Sequence, residues 1–98
     1  MMPLATIMNA TKLGKVDDEL ETEIAALVRQ AIPSLSSAVD VGSHDILQKL
    51  GLTSMGAVGL MLAVEARFNL VVPDKDMLPE NFRTVAAIAG LVRRLTGA

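Results

Sequence analysis

Apolar residues recur at helical spacing in three stretches of this chain and thin out between them. Leu20, Ile24, Leu27, Val28 and Ala31 form one stripe and predict a first helix over 17–31. Val85, Ile88, Val92 and Leu95, at steps of three, four and three, predict a last helix over 84–95. The stretch 55–68 differs from both. From Met55 to Val64 it holds no charged residue, and Val58, Leu60, Met61, Leu62 and Val64 point in every direction around a helix. A helix apolar all round is either fully buried or offers one face to a partner. A domain this small rarely buries a helix whole, so part of that face is expected to be exposed, and contiguous exposed apolar area marks an interaction site.

Helix ends and connections follow from local chemistry. Asp17, Asp18, Glu19, Glu21 and Glu23 crowd the first turns of the first helix, where the helix dipole favours negative charge, and Asp18 and Glu21 have capping-box spacing. An acidic docking face or a metal site is the alternative for this cluster, and a solvated helix start is preferred. Pro33 ends the helix and pushes Ile32 out of helical geometry. The polar loop 33–44 is expected to be pinned to the core by Leu35, Val39 and Val41. Residues 45–50 predict one helical turn with Ile46, Leu47 and Leu50 inward, and Gly51 permits a backbone angle that other residues avoid. Residues 73–83 connect to the last helix through one short helical turn near Met77 or Asn81. Thr84 is the expected N-cap of that helix, and Arg93 and Arg94 suit its C-terminus. Residues 1–16 have no clean period and read as a flexible leader to a domain over 17–98. The fold class is all-α: a four-helix bundle of three longer helices and a short one.

Composition narrows the function. Ninety-eight residues make one domain. Aromatic residues are 2% of a chain that is 51% hydrophobic, so the core is built from Leu, Val, Ile, Met and Ala, a mix that favours helices. With net charge −2 and no basic run, nucleic-acid binding is not expected. There is no cysteine, hence neither a disulfide nor a thiolate metal site, and the single histidine, His44, makes no metal site and reads as a loop or cap residue rather than a general base. No apolar run reaches transmembrane length, and the N-terminus lacks a basic segment before its apolar residues. A cytoplasmic monomer without a membrane span is the expectation.

The candidate chemistry centres on Ser54, in Lys49-Leu50-Gly51-Leu52-Thr53-Ser54-Met55, at the start of the charge-free helix. Taken alone, such a serine is a helix cap. Gly56 and Gly59 lie three apart inside the helix at about 1 kcal/mol each relative to alanine, which points either to close packing or to a shallow surface for a partner. A serine hydrolase is a poor reading, with one histidine and no Gly-x-Ser-x-Gly. A helix-turn-helix DNA binder is equally poor, because the helix lacks Arg, Lys, Asn and Gln through Val64.

Leu50-Gly51-Leu52-Thr53-Ser54-Met55 is similar to the Leu-Gly-x-Asp-Ser-Leu motif of the acyl carrier protein family. Leu60, Val64 and Phe68 fall where that family packs its core helix. Val72-Pro73-Asp74 resembles its Ile-Pro-Asp, and Phe82-Arg83-Thr84-Val85 resembles the Thr-Val opening of its last helix. The resemblance spans residues 46–95 and implies a non-catalytic carrier with the acyl-carrier type of four-helix bundle. It implies that a phosphopantetheinyl transferase moves 4'-phosphopantetheine from coenzyme A to Ser54. The arm's thiol then holds an acyl or aminoacyl cargo as a thioester, loaded by an acyl- or amino-acid-loading ligase and passed to downstream acyl-transfer enzymes. Thr53, Met55, Gly56, Gly59, Leu60 and Met61 are the expected partner-docking residues. Thr53 replaces the family's usual aspartate and Met55 its leucine, and of the carboxylates usual in this helix Glu65 is left. These departures imply a specialised carrier with more apolar partners. The stretch 73–78, with Phe82-Arg83-Thr84, also resembles small carriers loaded by amino acid ligases. The rival reading is a small helical interaction module with no prosthetic group.

Overall fold

A computed structural model describes residues 16–97, with side chains from Glu19 onward. The leader expected over 1–16 lies outside the described residues except for Val16, which opens the first helix; Asp18, expected to open a capping box, already lies inside that helix, and its side chain is not described. The described residues form α1 (Val16–Ala31), α2 (Ser54–Phe68) and α3 (Val85–Thr96), with single 3-10 turns at Leu47–Leu50, Asp74–Asp76 and Pro79–Phe82, and no strand. Among them no helix is long and apolar enough to cross a membrane.

Where one short helical turn is expected in the connection 73–83, two 3-10 turns stand, and the α-helices among the described residues are three. Pro79 sits at the start of the second, so Leu78 before it is held extended at φ −113, ψ 140, and the segment cannot wind into one helix. The long helices end as their sequences dictate. α1 stops at Ala31, where the Ile32 N–H still bonds Val28 O at 3.0 Å before Pro33. Thr84 caps α3, its Oγ1 accepting from Ala87 N at 3.0 Å. Asn69, at φ 53, closes α2 in left-handed geometry.

The core is aliphatic. Ile24 and Val28 from α1, with Ile32 just past its end, meet Leu60 and Val64 from α2 and Val85, Ile88, Leu91 and Val92 from α3, with Leu47, Leu52, Val72 and Phe82 closing the gaps. Helix α1 packs against both α2 and α3. Burying each of these side chains contributes about 1.5–3 kcal/mol.

The loop after α1 is held differently from expectation. Leu35 and Val41 pack against the core, but Val39 is exposed. It is the Val39 carbonyl that is held: Arg29 of α1 donates from Nη2 to Val39 O and from Nη1 to Ser36 O at 3.3 Å. Further on, Ala86 N donates to Ser43 O and Leu47 N to Arg83 O, both at 2.9 Å. These two bonds fasten the chain ahead of Ser54 to the first turn of α3 and to the residue before its cap.

Candidate functional site

Ser54 is delivered by a short relay of backbone constraints. The turn Leu47–Leu50 ends at Gly51, whose φ of 113° suits glycine, and Leu52 then drops into the core. Thr53 follows in extended geometry and is the N-cap of α2: its Oγ1 accepts from Gly56 N at 3.0 Å and its carbonyl from Ala57 N at 2.8 Å. The capping role expected of Ser54 therefore belongs to Thr53. Ser54 is the first helical residue, exposed, with its hydroxyl outside the cap bond. Gly56 and Ala57 have partners for their N–H groups, which leaves those of Ser54 and Met55 as first-turn donors beside that hydroxyl, at the positive end of the helix dipole.

Helix α2 exposes a run of large apolar side chains directly after Ser54. Met55 is 85% exposed, and Val58 and Leu62 are each 55% exposed. Of the residues expected to dock a partner, Thr53, Met55 and Gly59 are exposed and Met61 is half-buried. Leu60 is not on this face: it is fully buried in the core, because it lies on the side of α2 that faces the core and α1. The two glycines also part company. A Cβ at Gly56 would stand 3.0 Å from Ala31 O and 3.1 Å from Leu52 Cδ1, so this glycine permits close approach to the end of α1. A Cβ at Gly59 would meet nothing within 4 Å among the described residues.

The charges of α2 are committed at its far end. Glu65 Oε2 accepts from Val72 N at 2.8 Å, which holds the chain leaving the helix. Arg67 pairs with Glu23 of α1 at 2.6 Å and lies 5.5 Å from the Phe68 ring centroid. No charged side chain of α2 stands on the Met55–Leu62 face.

A groove of about 440 Å³ runs beside Ser54. Leu52, Ala57, Val58 and Met61 form one wall, and Met77, Leu78, Pro79 and Phe82 the other, with Gln48 and Thr53 at its rim. Its second wall is tied down by Asp76, whose carboxylate accepts from Arg94 of α3 at 3.2 Å and whose carbonyl accepts from Asn81 Nδ2 at 2.8 Å. The sequence reading missed this groove. Its signal was the pair Met77-Leu78, large apolar residues in a connection that has no helical stripe to bury them. His44 is exposed in the loop.

Comparison with known proteins gives a consistent result. The family of phosphopantetheine attachment sites matches residues 22–92, from the middle of α1 to near the end of α3. Aminoacyl carrier protein 2 of Bradyrhizobium diazoefficiens is 35% identical over 79 residues, 81% of this chain and 89% of the relative. Aminoacyl carrier protein 1 of the same organism is 36% identical over 74 residues, 76% of this chain and 82% of the relative. Among solved structures, the fold is similar to a chain in two that hold the Bradyrhizobium japonicum glycine:[carrier protein] ligase with a carrier protein. One structure is of a glycine:[carrier protein] ligase complexed with glycylated carrier protein (TM-score 0.62, 33% identity, 78% of this chain and 97% of the other). A second holds the ligase with its cognate carrier protein and an analogue of glycyl adenylate (TM-score 0.64, 33% identity, 81% and 97%).

Proposed function

This chain belongs to the phosphopantetheine attachment-site family of carrier proteins, and we propose that Ser54 is the residue that bears its arm. The protein is a non-catalytic carrier that presents cargo on a covalently attached 4'-phosphopantetheine. The observation that carries the assignment to Ser54 is its hydroxyl: exposed, at the first position of α2, and relieved of capping by Thr53.

The surroundings fit the group. The Ser54 and Met55 N–H groups suit a phosphodiester at a helix start, and the adjoining apolar groove is open to a tethered chain. In attachment, Ser54 Oγ forms the bond to the phosphorus of coenzyme A that carries pantetheine. The P–O bond to the adenosine bisphosphate breaks, and the hydroxyl proton passes to a base of the transferase. The thiol of the attached arm supplies what a cysteine-free chain lacks, a nucleophile that holds cargo as a thioester. Thr53 keeps the first turn wound, and Gly51 with Leu52 fixes where the serine emerges.

The cargo is an amino acid, loaded by a ligase. Two aminoacyl carrier proteins at 35–36% identity and the likeness to a carrier bound to a glycine:[carrier protein] ligase support this reading. The paired 3-10 turns over 74–82 serve in place of a short fourth helix. Coenzyme A is the donor, so the carrier is assigned to the cytoplasm, as a monomer that meets its enzymes in turn. An interaction module without a prosthetic group gives no account of the family match over 22–92.

The test is the intact mass of the protein after incubation with coenzyme A and a broad-specificity phosphopantetheinyl transferase, beside Ser54→Ala. One added phosphopantetheinyl group and one new titratable thiol are expected on the unsubstituted chain and none on the variant. Modification of Ser54→Ala would move the site elsewhere. If neither is modified, Thr53→Asp, which keeps a capping oxygen, separates a transferase that requires the carboxylate from a serine that is not the site.

A further inference from the structure

The groove beside Ser54 has apolar walls and few groups that can hydrogen-bond a ligand. Its polar lining side chains are Gln48, Thr53 and Ser54. Thr53 has committed its oxygen to the cap bond from Gly56 N at 3.0 Å, and Ser54 Oγ is the atom that the arm is joined to. Gln48 is left. Its side chain is exposed and bonds no other described residue. Both halves of its carboxamide, the carbonyl acceptor and the amino donor, are therefore open to a ligand in the groove.

The backbone under Gln48 is well held. It is the second residue of the turn Leu47–Leu50, and its carbonyl accepts from Gly51 N at 3.1 Å. Leu47 beside it is fully buried and donates its N–H to Arg83 O at 2.9 Å. Arg83 directly follows Phe82, the end of the far wall, so Gln48 is anchored to the groove it lines.

The point of attachment decides what occupies this groove. A 4'-phosphopantetheine on Ser54 starts at the groove itself, so its effective concentration there far exceeds that of a free ligand. The arm alternates in character. Its methyl and methylene groups suit apolar walls, but each of its two secondary amides needs a partner once water is displaced. The apolar walls offer no such partner, and a carboxamide matches an amide on either side. Resting on the assignment of Ser54 as attachment residue, we propose that Gln48 is a positioning residue for the arm: its carboxamide hydrogen-bonds one pantetheine amide and seats the arm between α2 and the segment 77–82. Gln48 then sets how much of the time the arm lies against the carrier rather than in solvent.

The experiment compares amide NMR spectra of the full chain before and after attachment with coenzyme A and the broad-specificity transferase. The variants are Gln48→Ala and Gln48→Leu, and intact mass checks that each form carries one added group. Attachment should shift the side-chain amino signals of Gln48 and the backbone amides of Met77, Leu78 and Phe82 on the far wall. In Gln48→Ala the ratio of seated to free arm should fall about fivefold, as for one lost hydrogen bond, and the far-wall shifts should shrink with it. Gln48→Leu keeps bulk and adds apolar surface but removes the hydrogen bond, and it should behave as Gln48→Ala does. Both variants should keep the melting temperature of the parent, since the side chain is exposed. Gln48 signals that stay in place on attachment overturn the proposal. Far-wall shifts in Gln48→Leu as large as in the unsubstituted chain overturn it too, because apolar contact alone would then seat the arm. The Ser54 assignment survives both results. Absence of any addition to the unsubstituted chain, and to Thr53→Asp, removes the Ser54 assignment and the proposal with it.

Discussion

Thr53 and Ser54 carry nearly the same functional group one residue apart, and the backbone decides which of them caps. Thr53 is extended at φ −91, ψ 172, so its Oγ1 reaches back over the first turn to Gly56 N at 3.0 Å; Ser54 is already helical. Thr53→Ala should therefore cost about 1 kcal/mol of unfolding free energy, the usual value of a lost cap. Ser54→Ala should fall within about 0.5 kcal/mol of the parent, as other exposed substitutions do. Urea unfolding of the two variants measures both numbers, and a loss of the larger size in Ser54→Ala would mean that its hydroxyl supports the fold. The sequence made the serine legible as the residue of interest but assigned the cap one position late. Either hydroxyl caps well, and the apolar run that sets the helix start begins only at Met55. The same ambiguity does not arise at Thr84, where no second hydroxyl stands beside it, and there the expected cap is the one found.

At the scale of the element, α2 is two helices in one: a half that carries the exposed apolar face and a half whose charges bind it to its surroundings. Its glycines make a direct comparison. Gly59→Ala removes an entropic cost without meeting anything, and should stabilise by about 1 kcal/mol, a rise in Tm of about 4–8 °C for a domain of this size. Gly56→Ala gains the same propensity but drives a methyl toward Ala31 O at 3.0 Å, a backbone atom that yields little. Its Tm should not rise. Equal increases in both, by thermal scanning, would show that the end of α1 gives way. Helices α1 and α3 were legible because each has one apolar stripe and one polar side. In α2 the apolar residues run all round, so periodicity says that something is exposed but not which side. That is why Leu60 was read with the docking residues while Val58 and Leu62, the exposed ones, were not. The short elements were obscure for another reason. One turn holds too few residues to show a period, and the effect of Pro79 on Leu78 splits the connection in two.

Across the whole molecule, support is uneven in a way that bears on the groove beside Ser54. One wall is α2, backed by Leu60 and Val64 in the core; the other is the segment 73–83, which has single turns, exposed Met77 and Leu78, and one buried side chain, Phe82. Removing core volume acts on everything: Ile88→Ala should cost about 2–5 kcal/mol, a large share of the roughly 5–10 kcal/mol available to a small domain. Removing a tie of the segment should act locally. Asn81 Nδ2 bonds Asp76 O, while Arg94 holds the Asp76 carboxylate through a partly exposed pair that contributes less than about 1 kcal/mol. Asn81→Ala breaks the stronger of these ties, about 1 kcal/mol, and leaves the three helices untouched. Hydrogen exchange should then show faster exchange at the amides of Met77 and Asn81, which bond Asp74 O and Leu78 O. Amides in α1 and α3 that open only with global unfolding should change far less in relative terms. Such a pattern makes segment 73–83 a separate opening unit, able to widen the groove without unfolding the carrier. Equal loss of protection throughout would mean that the segment opens only when the whole domain does, and that the groove keeps its present width.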